Sequence, residues 1–322
     1  MDKGGKILIS KIRGFSAYFI NKIKRFIRII GYRFTKDKFE KDDLVSDIKN
    51  IGIKEGDIIF LYSSLKSIGY VKGGARTVIE AFLDVIGKKG TLIIPTYTYL
   101  GNMYKTCLRE DYIFDYTKKK TDLGAIPSKF LKFKNIYRSI HPTHSCAAIG
   151  KDAEWLTSDH HIDTKTFGSK SPWARFSNKN GKMFGLGISL GPITQYHYIE
   201  DFLNGKFPLK VHTSESFRLK CKIKPKRFLE VEVKPLDPKV AKTRIDKKEN
   251  KFIRHYFWTI FTKLDILKKG IIGNANSWWV NIKDFNKILI KLAELGITIY
   301  SKKKDLIKNQ LYPFENIKNQ FF

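Results

Sequence analysis

At 322 residues, with 42% hydrophobic content, the chain can bury a substantial core, and its three scattered cysteines, Cys107, Cys146 and Cys221, exclude a disulfide framework or a zinc site of ordinary spacing. Lys+Arg number 61 against 31 Asp+Glu, a formal charge of +30 that draws phosphate-bearing ligands, nucleic acid or an anionic membrane. No stretch approaches the roughly 18 to 20 uncharged apolar residues that span a bilayer, and a reducing, cytoplasmic setting is expected.

The most apolar N-terminal segment, Phe15 to Tyr32, is broken by Lys22, Lys24, Arg25 and Arg28, which rules out the apolar core of a signal peptide. On a helical wheel Phe19, Ile23, Phe26 and Ile30 share one face, with Asn21, Lys24, Arg25 and Arg28 opposite. The pattern predicts a basic amphipathic helix that lies on an anionic membrane surface, on its own domain or on a second subunit of a homo-oligomer. Residues 1–41 are accordingly expected to form an extension, and 42–322 a single domain.

Helix is predicted for Asp42 to Asn50, a turn for Gly52 to Asp57, and a strand for the apolar run Ile58 to Tyr62. A serine- and glycine-rich loop, Ser63 to Gly74, leads into helical periodicity from Ala75 to Ile86, then the strand Thr91 to Pro95. After a less regular stretch from Tyr97 to Lys120 come a helix beginning in Gly124 to Phe133, a strand Cys146 to Gly150, a helix at Asp152 to Leu156 and a strand Met183 to Ile188. Helix is expected again from His197 to Phe202. Arg218 to Ile223 and Phe228 to Val233 alternate at period two, the mark of a half-exposed hairpin turning at Lys224 to Arg227. A helix from Ile282 to Leu295 and a lysine-rich tail close the chain.

Three segments can carry chemistry. Ser63-Ser64-Leu65-Lys66-Ser67, followed by Val71-Lys72-Gly73-Gly74 at a helix start, offers unpaired backbone N–H groups suited to a pyrophosphate, or is an ordinary strand-to-helix turn. His141-Pro142-Thr143-His144-Ser145 holds two histidines in a proline-stiffened turn without a third ligand at suitable spacing, so a structural or substrate-positioning role is expected rather than metal. In Thr194 to Asp201 a helix sets Glu200 and Asp201 three and four residues after His197, where a carboxylate can orient an imidazole; a plain ion pair is the competing reading. His160-His161 reads as a solvated loop, and His212 and His255 have no carboxylate within a helical turn.

From about Asp42 to Phe207 the blocks GIKEGD, SSLKSIGYVKGGARTVIEAFLDVIGKKGTLIIPTYT, GAIPSKF, RSIHPTHSCAAIGKDAEWL, FGSKSPWARF, NKNGKMFGLGI and TQYHYIED follow in an order that resembles the aminoglycoside 3-N-acetyltransferase family, and GNANSW resembles a further segment. The resemblance implies an α/β fold with a central mixed β-sheet flanked by helices, distinct from the GNAT fold. It implies acetyl-CoA as cosubstrate, bound along Ser63, Ser64, Leu65 and Ser67, the turn Val71, Gly73 and Gly74, and the strand end Thr96, Tyr97 and Thr98. It also implies His197 as catalytic base for direct attack by an amine, Glu200 as its partner, and His141 as support of the active site; no metal is implied.

Resistance members of that family often carry an acidic residue just before the Asn-Thr ahead of the histidine. Ser189 to Thr194 holds no carboxylate here. With the +30 charge, this shifts the expected acceptor to an amino sugar, nucleotide- or lipid-linked, in surface-polysaccharide biosynthesis; the alternative is antibiotic inactivation. A basic nucleic-acid-binding protein is the third reading, but no helix-turn-helix, zinc finger or RNP-type motif supports specific nucleic-acid binding.

Overall fold

The computed structural model describes residues 38–98 and 102–308. The amphipathic segment Phe15 to Tyr32, with its membrane and oligomer readings, and the lysine-rich tail beyond residue 308 lie outside the described residues. The first six strands in chain order are β1 (Lys38–Phe39), β2 (Ile58–Ser63), β3 (Tyr70–Val71), β4 (Thr91–Pro95), β5 (Ile113–Asp115) and β6 (Tyr137–Arg138). They are followed by β7 (Cys146–Gly150), β8 (Lys182–Leu186), β9 (Phe217–Lys224), β10 (Arg227–Val233), β11 (Lys268–Ile272) and β12 (Ala275–Asn281).

Seven of these form one mixed sheet in the order β11-β12-β8-β2-β4-β7-β6. Its centre, β8-β2-β4, is parallel, and both flanks are antiparallel. A parallel centre needs cover on both faces, which is why β2 reads as an unbroken apolar run. Successive side chains of β2 part to opposite sides. Ile59 and Leu61 join the layer of helices Lys41–Asn50 and Ala75–Ile86, whose Leu44, Ile48, Val78 and Phe82 are fully or almost fully buried. Phe60 and Tyr62 face the other layer, where Trp173, Phe176, Tyr196, Phe257 and Phe285 come from helices Pro172–Asn178, Gln195–Leu203, Lys251–Lys263 and Ile282–Glu294. A central mixed sheet flanked by helices is the expected fold class.

The predicted elements are found with ends displaced by a residue or two, and three regions differ in kind. The loop Ser63 to Gly74 contains a short helix, Leu65–Ile68, and β3, which pairs in parallel with β1. Residues 38–40, placed in the extension by the sequence, are thereby joined to the body: Lys72 donates its backbone N–H to Phe39, and Glu40 takes part in the cap of helix Lys41–Asn50. The hairpin β9-β10 forms as expected but gains a third strand, β5, from the stretch that looked irregular. Cys221, Leu219, Val231, Val233 and Phe114 fill its small separate core.

His160 is the clearest correction. It is 0% exposed rather than solvated, its Nε2 against the Thr166 carbonyl at 2.8 Å and its Nδ1 against the Ser139 hydroxyl at 3.1 Å. Neighbouring polarity in SDHHIDTKT hides this, because Ser139, His141 and Trp173, which meet the ring, lie outside that run.

Candidate active site

Helix Gln195–Leu203 turns His197 and Glu200 onto one buried face. Glu200 Oε2 lies 2.8 Å from His197 Nδ1, and the two side chains are 1% and 10% exposed. An ionised carboxylate accepts only, so Nδ1 carries the proton and Nε2 keeps its lone pair for the cavity that His197 lines. Asp201 is not part of this pair. Its Oδ2 accepts the Phe167 backbone N–H at 2.9 Å, its Oδ1 is 3.7 Å from His212 Nε2, and burial pushes its carboxyl upward. His212, without a carboxylate close in sequence, therefore has one in space.

The cavity beside His197, about 300 Å³, is bounded by His144, Phe167 and His212 and by a loop bearing Arg244, Asp246 and Lys247. Arg244 grips Asp246 through two hydrogen bonds of 2.6 and 2.8 Å, and Lys247 Nζ is 3.6 Å from the same carboxylate. Two cations thus surround one anion. The rim is not acidic.

A second cleft of about 940 Å³ opens where β2 ends. Ser63, Ser64, Leu65, Val71 and Gly74 line it, facing Thr121 to Ser128. Gly74 sits at φ +64° ahead of helix Ala75–Ile86, whose first turn holds no acidic residue and whose N-cap makes no side-chain hydrogen bond. A Cβ added at Gly74 would meet nothing within 4 Å, so the helix N-terminus stands open, with Lys66 on the same wall. These groups fit a pyrophosphate. Gly73 serves the turn instead: at φ +81°, its Cβ would lie 2.3 Å from Thr77 Oγ1.

The rest of the set assigned by resemblance, Ser67, Thr96, Tyr97 and Thr98, is not among the residues that line the cleft. The Ser67 hydroxyl is held between Ser64 Oγ and the Gly187 carbonyl, each at 3.0 Å. Thr96 is fully buried against Ser145, and Tyr97 donates its phenol to Thr194 Oγ1 at 2.8 Å. Thr98 Oγ1 lies 3.4 Å from the Tyr112 phenol. Tyr97 starts a row of rings to the histidine: Tyr97 to His144 is 4.7 Å between centroids, His144 to Phe167 5.1 Å, and Phe167 to His197 5.4 Å. The strand end beside one cleft is thus packed continuously to the imidazole in the other.

His141 is fully buried and does not contact His197 in this row. Its Nδ1 accepts the backbone N–H of His144 at 3.0 Å, closing the His-Pro turn, and its ring stacks on His160 at 4.4 Å. Arg138 braces the same region: its guanidinium reaches the Thr96 and Lys118 carbonyls and the Ser145 hydroxyl at 2.8 to 3.1 Å, with burial lowering it to about 10. The sequence reading gave Arg138 no role, because its partners lie on three separate segments. Thr121 to Ser128 lines the cleft as well, and the Gly-Ala-Ile-Pro start of helix Ala125–Phe130 is the sequence signal for this second helix entrance. Among the described residues no group of three or more His, Cys, Asp or Glu is arranged to hold a metal, and the Cys107, Cys146 and Cys221 thiols are buried and raised by burial.

The family model for aminoglycoside 3-N-acetyltransferases matches residues 60–294. Aminoglycoside N(3)-acetyltransferase IX of Micromonospora chalcea is 32% identical over 166 residues, 48% of this chain and 59% of that protein. The SPbeta prophage-derived aminoglycoside N(3′)-acetyltransferase-like protein YokD of Bacillus subtilis is 29% identical over 175 residues, covering 50% and 64%. The aligned part thus spans less than two thirds of these curated relatives. Among solved structures, aminoglycoside acetyltransferase AAC(3)-Xa superposes with a TM-score of 0.69 at 21% identity, over 84% of this chain and 98% of that one. AAC-IIIb in binary complex with CoASH gives 0.65 at 21% identity, over 82% and 100%, and AAC-VIa bound to sisomicin 0.63 at 20%, over 80% and 98%.

Proposed function

Because the chain belongs to the aminoglycoside 3-N-acetyltransferase family, we propose that it moves the acetyl group of acetyl-CoA to a primary amine of an aminoglycoside or a related amino sugar. The observation that carries this reading is His197, backed by Glu200 at 2.8 Å and opening onto a cavity. An amine attacks a thioester only when neutral. His197 Nε2 takes the amine proton as the N–C bond forms, Glu200 steadies the imidazolium, and the proton leaves with the CoA sulfur as the C–S bond breaks. The cleft at Ser63 to Gly74, with its open helix N-terminus and Lys66, takes the CoA phosphates. Tyr97 and Thr194 hold the wall between that cleft and the helix of His197.

Two measurements test this reading. Release of free CoA is followed with aminoglycosides beside UDP-, dTDP- and GDP-linked amino sugars; turnover with none of these amines counts against the proposal. CoA at about one hundred times its dissociation constant stabilises a folded protein by about 2.7 kcal/mol. A rise in melting temperature of roughly 3 to 6 °C is therefore expected, and an unchanged melting temperature at millimolar CoA removes the cofactor assignment.

The charge around His197 favours a narrower reading within the same chemistry. Polycationic aminoglycosides need concentrated carboxylates, whereas Asp246 is already matched by Arg244 and Lys247. A nucleotide- or lipid-linked amino sugar, as in surface-polysaccharide biosynthesis, suits such a rim better. Within the same panel, preference for multiply charged aminoglycosides over anionic amino sugars rejects it.

A further inference from the structure

We propose that Tyr300 is a positioning residue of the His197–Glu200 pair, its phenol fixing the carboxylate through the oxygen that the imidazole does not use. The inference rests on the reading of His197 as the base. Tyr300 Oη donates to Glu200 Oε1 at 2.8 Å, while Oε2 of the same carboxylate meets His197 Nδ1 at 2.8 Å. The two oxygens are thus divided between a partner three positions away in sequence and one a hundred positions away. A carboxylate held at one oxygen turns easily about its last torsion, and the second bond removes that freedom.

The segment carrying the phenol is itself fastened. Thr298 Oγ1 accepts the Tyr300 backbone N–H at 3.2 Å, Ser301 Oγ accepts that of Thr298 at 2.9 Å, and Asn250 Nδ2 donates to the Ile299 carbonyl at 3.4 Å. Thr298 to Ser301 lie beyond residue 294, where the family match ends, while Asn250 lies within it. Burial, reinforced by the Glu200 charge and hydrogen bond, pushes the Tyr300 phenol well above its usual range, so it stays a donor at every working pH. A neutral donor to one oxygen draws charge away from the other. Tyr300 therefore also moderates how strongly Glu200 holds a proton on the imidazole.

Other groups face the pair: Asp201 on the same helix, His144 and His212 across the cavity, and Arg244, Asp246 and Lys247 on the opposing loop. None is altered by Tyr300→Phe, so the difference from the native protein reports the phenol. The variant should lose about 5- to 30-fold in kcat with KM for acetyl-CoA unchanged, because the carboxylate plane is no longer fixed. The acid limb of kcat/KM should move to higher pH, since a carboxylate without the phenol's hydrogen bond turns more of its charge toward Nδ1. In a Glu200→Gln background the same substitution should add little.

Unchanged kcat and an unmoved acid limb overturn the inference, as does an equal loss in the Glu200→Gln background. Should Tyr300→Phe fail to fold, 3-fluorotyrosine at position 300 keeps the ring and strengthens the donor; the limb should then move to lower pH, and a stationary limb overturns the inference. His197→Ala assayed in parallel separates the two readings. Native-like turnover of His197→Ala defeats the base assignment, whereas an inactive His197→Ala beside an unaffected Tyr300→Phe defeats only the role of Tyr300.

Discussion

His197→Ala should lower kcat by about 10²- to 10⁴-fold and leave the affinity for CoA nearly unchanged, as expected of a general base that acts on the acceptor amine. The geometry explains the division. His197 lines the smaller cavity with Arg244 and Asp246, while the cleft lined by Ser63, Ser64, Leu65, Val71 and Gly74 contains no atom of the imidazole. Glu200→Gln should cost less, because it keeps the residue's shape and loses the charge that stabilises imidazolium. Combined with His197→Ala it should add little, the sign of two residues acting as a unit. Steady-state kinetics with saturating acetyl-CoA, together with CoA titration of the inactive variant, measures both effects. A His197→Ala enzyme near native activity, with His141→Ala or His144→Ala inactive, would move the base to the His-Pro turn.

Acidification should unfold the protein steeply, by up to about 4 kcal/mol per pH unit if three buried imidazoles each differ by one proton between the folded and unfolded chain. His141, His144 and His160 are all held below the usual histidine range, first by burial and then, for His141, by the nearby His160 and His144 and, for His144, by the nearby His197 and His160. For His160 the value falls to about 4. Each ring already uses Nδ1 in a contact that suits the neutral form: His141 with the His144 N–H, His144 with Thr143 Oγ1 and His160 with Ser139 Oγ. The sign follows from these lowered values. Above about pH 6.5 both states are neutral at these sites. Below it the unfolded chain binds protons that the folded chain refuses, so stability falls with falling pH, for His160 down to about pH 4. Urea midpoints between pH 7.5 and 5.5, with calorimetric proton uptake on unfolding, measure the slope. Equal midpoints across that range would show that these rings titrate in the folded protein.

What the sequence made legible was local. The apolar run of β2, the periodicity of Ala75–Ile86 and the alternation of β9 and β10 each record burial on faces set by their own residues. The His197–Glu200 pair was legible for the same reason, because three residues along a helix make neighbours. Where partners are far apart in sequence the signal faded. β5 is three residues long and owes its form to pairing with β9, β11 and β12 complete the sheet edge beside β8 from far downstream in the sequence, and helix Lys251–Lys263 mixes large aromatic residues with lysine and arginine on a blurred face. Of the ligand residues suggested by resemblance, Ser63, Ser64, Leu65, Val71 and Gly74 line one cleft, whereas Ser67, Gly73, Thr96, Tyr97 and Thr98 do not. Tyr300, one hundred positions from Glu200, left no trace that spacing could reveal.

The pairing of β1 with β3 makes the N-terminal side of the chain a mechanical partner of the cleft. Phe39 is opposite Val71 in that ladder, and Val71 and Tyr70 are themselves cleft wall, with Lys72 and Glu40 clasped at 2.8 Å beside them. A ligand that stiffens this wall stiffens the anchorage of residue 38 in the same act. By the reciprocity of coupled equilibria, any tension or docking applied to the chain ahead of that point returns to the wall as a change in ligand affinity of equal free energy.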